Sequence, residues 1–394
     1  MSQADLIVFN ARIWDGTERD ETALAVADGM VLATGSDRTI LELASEGATT
    51  IDVDQRRLMP GLIDSHLHLV RAGRTWHIEV RWDDETRLDD ALDLMSAKTD
   101  ELGPGRWVAV MGGWHPHQFE EDRAPTRSDL DRAAPDNPVF AQRAYAEAFV
   151  NSRAMAEMGW TEEEAPGGRV SSQSDMAALR AQITETDLEA AMGGTRSLLR
   201  ELNRLGLVGA IDASGFGITK TSYDAFRRLF ADGERGFRAR LLLGASRPGD
   251  ELADIEEWVS SIDLGGGDEF LRHLGAGEVL DYGAHDMEGL APKDIDDRLP
   301  ALTEISMLLA ANDWPVHAHS ILDTSITTML DAWEAIDRES LRRLRWAICH
   351  ADQIGEENLR RLADMGLGIT IQNGMSMRGV DCAPTWGLDT VTSA

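Results

Sequence analysis

The sequence predicts an α/β fold built from parallel βαβ units, and three observations carry that reading. Beyond Pro60-Gly61, apolar runs alternate with amphipathic stretches, as in LGLVGAID near 205–212, RARLLLG near 238–244 and LRRLRWAICH near 341–350. Strand then helix, repeated, is the signature of a parallel sheet with crossover helices. Histidines end several of these runs, and the carboxyl ends of parallel barrel strands converge on one mouth. Finally, 394 residues at 43% hydrophobic content suffice for one large α/β barrel or for two to three average domains.

Taken in order, residues 1–57 alternate apolar and polar positions between turn signals at Asp15-Gly16 and Asp28-Gly29. They predict a small antiparallel β unit of hairpins, too thin to bury a core alone and in need of a covering partner. Residues 58–394 carry the βα rhythm, with strands expected near 58–68, 206–212, 238–244, 274–281, 314–319, 344–350 and 366–371. Between about 70 and 200 the rhythm is interrupted by a stretch rich in Trp, Asp, Gly and Pro, including WVAVMGGWHPHQF and APTRSDLDRAAPDNPVF. It is expected to be an inserted region lying over one end of the barrel.

Composition narrows the partners. A formal net charge of −31 disfavours nucleic acid and anionic membranes. Among 38 basic residues the only lysines are Lys98, Lys220 and Lys293. A carboxylate-rich, lysine-poor surface predicts a halophilic source, in which counterions screen self-repulsion. The opening MSQADLIVFN lacks the basic start and long apolar stretch of a signal peptide, and no apolar run reaches membrane-spanning length, so a soluble, cytoplasmic protein is expected. Two cysteines, Cys349 and Cys382, exclude a disulfide scaffold.

Six of the ten histidines fall in pairs with one residue between them: His66/His68, His115/His117 and His317/His319. His66 and His68 end the run LMPGLIDSHLHL, and residues i and i+2 of a strand share a face. Two such imidazoles can each offer a nitrogen to one ion at about 2.0–2.1 Å, or they can be hydrogen-bonded residues of a buried strand. His317 and His319 end NDWPVHAHS, and His350 ends RWAICH. One imidazole of the second pair is expected to bind metal and the other to line the site. His115 and His117 flank Pro116 in a Gly-rich loop, where the same-face argument fails, and read as pocket residues or as ordinary loop residues. Trp114, among the tryptophans crowding the inserted region, reads as lining a substrate pocket or as packing beneath the loops. Asp64 could orient an imidazole. Cys349, adjoining His350, is expected to point to the opposite face as a small buried hydrophobe.

In order along the chain, MPGLIDSHLH, PVFAQRAYAEAFVNSRAM, LGAGEVLDYG, WPVHAHSILDTSITTMLDAWE, RWAICHADQI and GITIQN resemble the amidohydrolase superfamily. They are most similar to its family 3 branch of N-substituted formamide deformylase-like proteins, and the resemblance runs from about residue 5 onward. It implies a (β/α)8 TIM-type barrel with a composite β-sandwich, a small-molecule substrate, and one or two divalent cations activating water against a non-peptide carbon–nitrogen bond. Zinc is the first expectation, with iron, nickel or manganese suiting the same donors. Carried over by residue, His66, His68, His319 and His350 are metal ligands, with Asp323 at the family's aspartate and Leu322 where glycine is usual. Glu278 is expected to supply a bridging carboxylate where many relatives have lysine, with Asp281 as fallback. His317, His115, His117 and Trp114 are the expected substrate-lining residues.

The family's last ligand, an aspartate ending the eighth barrel strand, has no counterpart in this reading. Neither Asp381 nor Asp389 ends a strand-like run, so the catalytic base is left unassigned. The eighth strand and a C-terminal β segment are expected to be missing, as in a truncated chain. Two rival functions stand beside the hydrolase: an incomplete pseudoenzyme that binds a small molecule, and a deaminase, isomerase or esterase on the same scaffold.

Overall fold

A computed structural model describes residues 3–17, 19–144, 147–184, 187–287, 295–372, 379 and 382–392. The chain divides into two compact units, Met1–Leu62 and Ile63–Ala394, a boundary a few residues beyond the expected one.

In the first unit, β1 (Ala4–Phe9), β2 (Arg12–Ile13), β3 (Ala23–Ala27), β4 (Met30–Gly35), β5 (Ala44–Asp52) and β6 (Arg57–Leu58) form a four-stranded sheet ordered β4-β3-β1-β5 and a separate β2-β6 pair. Asp28 and Gly29, both at positive φ, make the tight turn between β3 and β4. The expectation of purely antiparallel hairpins fails at two points. β5 lies parallel to β1, because the helix Asp37–Leu41 carries the chain back across the sheet before β5 begins, and β2 pairs in parallel with β6. The core is Ala4, Ile7, Ala23, Ala25 and Ile40, so little side-chain bulk is buried.

The second unit opens within β7 (Leu62–Leu67) and continues with β8 (Val108–Val110), β9 (Val139–Arg143), β10 (Glu147–Val150), β11 (Arg169–Val170), β12 (Leu207–Asp212), β13 (Arg238–Leu243), β14 (Leu271–Ala276), β15 (His317–Leu322), β16 (Ala347–Gln353) and β17 (Gly368–Thr370). Two sheets, β14-β13-β12-β7 and β15-β16-β17, are joined by a bridge between Ala276 and Val316. The seven expected strands are therefore present in an α/β arrangement. Among the described strands, β7 pairs with β12 alone and β17 with β16 alone. Several boundaries moved, and two of the shifts bear on the candidate site. β14 stops at Ala276, which places Glu278 and Asp281 in the following loop, and β15 starts at His317, after Pro315, which has no N–H for the ladder.

The strands and their helices enclose one large core in which Phe226, Trp258, Trp314, Trp333 and Trp346 are buried. The Trp346 indole donates to the Trp314 carbonyl at 2.9 Å, so its polar end is satisfied. The inserted region is more regular than its composition suggests. It has its own sheet, ordered β11-β10-β9-β8, and two cores: one around Trp82, Met95, Trp114 and Leu130, the other around Phe140, Met155, Met176 and Leu179. No described helix is long and apolar enough to cross a membrane.

Candidate metal centre

Five side chains from four strand ends meet in one place. β7 carries His66, and its backbone N–H donates to Asp64 Oδ1 at 2.9 Å. Asp64 thus braces the main chain two residues on, and not an imidazole as expected. His68 follows the strand and caps the helix Leu69–Thr75. Its position is fixed by the end of β12: buried Asp212 accepts from the backbone N–H groups of Val70 and Ser214, while His68 Nδ1–H donates to the Ser214 carbonyl at 2.7 Å. Burial pushes the Asp212 carboxyl up to about 7, against the two N–H donors. Gly215, at φ +125°, makes room for this ring, since a Cβ there would stand 3.0 Å from His68 Nδ1.

Glu278 reaches the centre because Gly277 precedes it. A Cβ at Gly277 would fall 2.4 Å from Leu242 Cβ and 2.8 Å from the Ala213 carbonyl. The Glu278 backbone is held from both sides, donating to Ala213 at 3.0 Å and accepting from His319 N–H at 3.2 Å. Its carboxylate, 5% exposed, is ringed by imidazoles. Oε2 lies 3.1 Å from His66 Nε2, 3.3 Å from His350 Nε2 and 3.6 Å from His319 Nδ1; Oε1 lies 3.4 Å from His68 Nε2.

β16 departs from regular geometry where it delivers His350. His350 and Ala351 adopt φ of 76° and 54°, and the register with β15 gains one residue between the Ser320–His350 and Leu322–Gln353 pairs. Such a bulge re-aims a side chain. Strict alternation breaks down here, and buried Cys349, expected to point away, instead lies close enough to the His66 imidazole to favour its charged form.

The electrostatics follow from burial and from Glu278. Burial would raise the Glu278 carboxyl, but the surrounding imidazoles hold it well below its ordinary value. For His66 and His319 burial is outweighed, by Cys349 and Glu278 in the first case and by Asp286 and Glu278 in the second, and both rise to about 10. For His68 burial prevails over the pull of Glu278, leaving it at about 4. Both nitrogens of His66 and Nδ1 of His319 are buried without a hydrogen-bond partner. Buried orphan nitrogens around a carboxylate suit a cation. Two ligand groups, His66/His68/Glu278 and Glu278/His319/His350, each have their donor atoms within 4.8 Å of one another and share Glu278.

A cavity of about 210 Å³ opens onto these five residues, walled by Leu67, Phe216, Met287 and Ile321, with Arg71, His285 and Gln372 as its other polar members. His285 and Asp286 escaped the sequence reading, since they sit in a loop without periodicity. Their one signal is a His-Asp pair shortly after Glu278.

The remaining expected residues lie elsewhere. Trp114 is a core residue of the inserted region, packed on Trp82 at 5.3 Å, with its indole donating to the Gln142 carbonyl. His115 Nδ1 accepts from the His117 N–H and caps a turn, while the His117 ring is exposed beside Asp122. These three do not line the cavity; the spacing of His115 and His117 comes from the cap. His317 starts β15 with Nδ1 buried and unpartnered, and burial with the His66 charge holds it at about 4; it is not among the cavity-lining residues. Asp281 is paired with Arg298, and Asp323 accepts from Gly355 N–H and the Asn358 amide, anchoring the loop after β16. Asp389 is exposed in the helix Leu388–Thr392, and Asp381 lies outside the described residues.

Comparison with known proteins agrees with this architecture. The profile described as the amidohydrolase family matches residues 49–386. An N-substituted formamide deformylase from Arthrobacter pascens is 26% identical over 94% of this chain and 73% of its own length. Uncharacterized metal-dependent hydrolases from Pyrococcus furiosus and Pyrococcus horikoshii share the fold. Each has a TM-score of 0.69, with 21% and 18% identity; 98% of this chain is covered in both cases, against 80% and 78% of theirs.

Proposed function

The chain belongs to the amidohydrolase family, and from that premise we propose that it is a hydrolase of non-peptide carbon–nitrogen bonds, of the amide, N-formyl or cyclic amide class, with Glu278 shared between two divalent cations. His66 and His68 would hold one, His319 and His350 the other. Zinc is the first choice for imidazole and carboxylate donors, with iron, nickel or manganese also compatible. The carrying observation is the placement of both Glu278 oxygens among four imidazoles, each within 3.6 Å.

When bound, such cations lower the pKa of a coordinated water toward about 7 and polarise a carbonyl. The chain's own residues do the rest. Glu278, fixed by its backbone bonds, keeps negative charge at the cavity floor. Ser214 holds the proton of His68 on Nδ1, so that Nε2 presents its lone pair toward Glu278. Leu67, Phe216, Met287 and Ile321 exclude water and receive the apolar part of a small substrate. The (β/α)8 barrel belongs to this reading, supported by the parallel pairing of β12 to β14 and of β15 to β17 and by the parallel bridge between β14 and the start of β15.

The test is elemental analysis of the purified chain, followed by chelation, metal restoration and a panel of N-substituted formamides, cyclic ureides and esters. Hydrolysis of a carbon–nitrogen substrate that disappears on chelation and returns with metal supports the proposal. Esters as the only substrates, or activity indifferent to chelators, would overturn it.

A further inference from the structure

We infer that Asp286 is a positioning residue that sets how tightly the His319 side of the centre holds its cation. The inference rests on the proposed two-cation reading and adds a difference between its halves. His319 Nε2 lies 2.6 Å from the Asp286 main-chain carbonyl and 3.0 Å from its carboxylate Oδ1. Both are acceptors, so Nε2 carries a hydrogen. The lone pair then belongs to Nδ1, which is buried, has no hydrogen-bond partner and faces Glu278 at 3.6 Å.

The Asp286 carboxylate is itself held in place. It accepts from the backbone N–H of Ile321 at 3.0 Å and of Leu322 at 2.9 Å, and its side chain is 3% exposed. It therefore cannot swing away from the imidazole without breaking the end of β15. A carboxylate behind a ligating imidazole fixes its orientation and raises its basicity.

The other half is built differently. His68 donates its outer proton to a neutral main-chain carbonyl, that of Ser214. Among the described residues, Asp286 is the one carboxylate besides Glu278 within ion-pair distance of these four imidazoles. The His319 half thus has an anionic support that the His68 half lacks.

The experiment loads the full chain with zinc and reads stoichiometry and stepwise affinity by competition with a chromophoric chelator. Wild type should bind two equivalents. Asp286→Asn keeps the size and one oxygen acceptor, and should weaken one equivalent about 10- to 100-fold while leaving the other unchanged. Both equivalents unchanged, or both weakened alike as from a general loss of structure, would overturn the inference. Should the variant not fold, NMR of wild-type protein with ¹⁵N-labelled histidine and bound zinc decides the same point: the His319 proton belongs on Nε2, and a proton on Nδ1 overturns the assignment. A wild-type chain that binds no zinc, iron, nickel or manganese would instead sink the metal-centre reading.

Discussion

His285 lies face to face on His319, with ring centroids 3.6 Å apart and planes inclined by 17°, while its edge meets Phe216 at 4.4 Å. One face of the His319 imidazole is thus covered by a residue that also lines the cavity. His285→Ala should cost about 0.5–1.5 kcal/mol of stacking and enlarge the cavity, without loss of bound metal. Equilibrium unfolding together with elemental analysis checks this; a variant with wild-type stability would show that the stack contributes nothing.

Removing the charge at Glu278 has a larger effect. Glu278→Gln leaves four inward-facing imidazoles without their shared anion, and metal affinity and hydrolysis should each fall by on the order of 100-fold or more. Metal titration and initial rates on any substrate the wild type turns over measure the loss.

Gly215→Ala tests the fit around His68. The backbone there is at φ +125°, and the added methyl would press on Nδ1 from 3.0 Å. A loss of about 1–3 kcal/mol in unfolding free energy is expected, with weaker metal binding at the His66/His68 group. Unchanged denaturant midpoints would show that the loop can give way.

Asp129 supplies a pH dependence remote from the centre. Burial alone would raise its carboxyl, but Arg123 at 2.7 Å and the backbone and hydroxyl of Thr126 outweigh burial and hold it at about 2. A folded value below the ordinary one of about 4 means stability that is present above pH 4 and lost as pH falls toward 2. Asp129→Asn should cost about 1–2 kcal/mol at neutral pH. Urea unfolding across that window should show a shallower acid slope for the variant than for wild type.

The acidic composition predicts a response to salt. With a net charge of −31, raising KCl to molar levels screens repulsion within the folded chain, and the melting temperature should rise. A flat or falling melting temperature would remove the halophilic reading.

Much of this architecture was readable from residues whose surroundings are local. Strands such as RARLLLG announce themselves because burial on both faces demands continuous apolar runs, and His66, His68, His319 and His350 end such runs. Glu278 was legible only by resemblance, at the position where many relatives carry lysine; the close passage that Gly277 permits appears only in the fold. Asp286 was not, since its role depends on a loop returning to the end of β15. His115 and His117, already set apart from the same-face pairs by Pro116 between them, owe their spacing to a turn cap, which a loop sequence does not distinguish from a pocket lining. The sheet in the inserted region was hidden because its strands are two to five residues long.

The outer rims of β7 and β17 carry a colloidal consequence. Each offers a row of main-chain N–H and C=O groups with no neighbour among the described strands, beside Ile63 and Ile371, which are 64% and 82% exposed. Rims of this kind adhere to one another when molecules meet. Mutual repulsion between copies of net charge −31 opposes such encounters at low ionic strength, and salt that screens it should favour self-association through these rims.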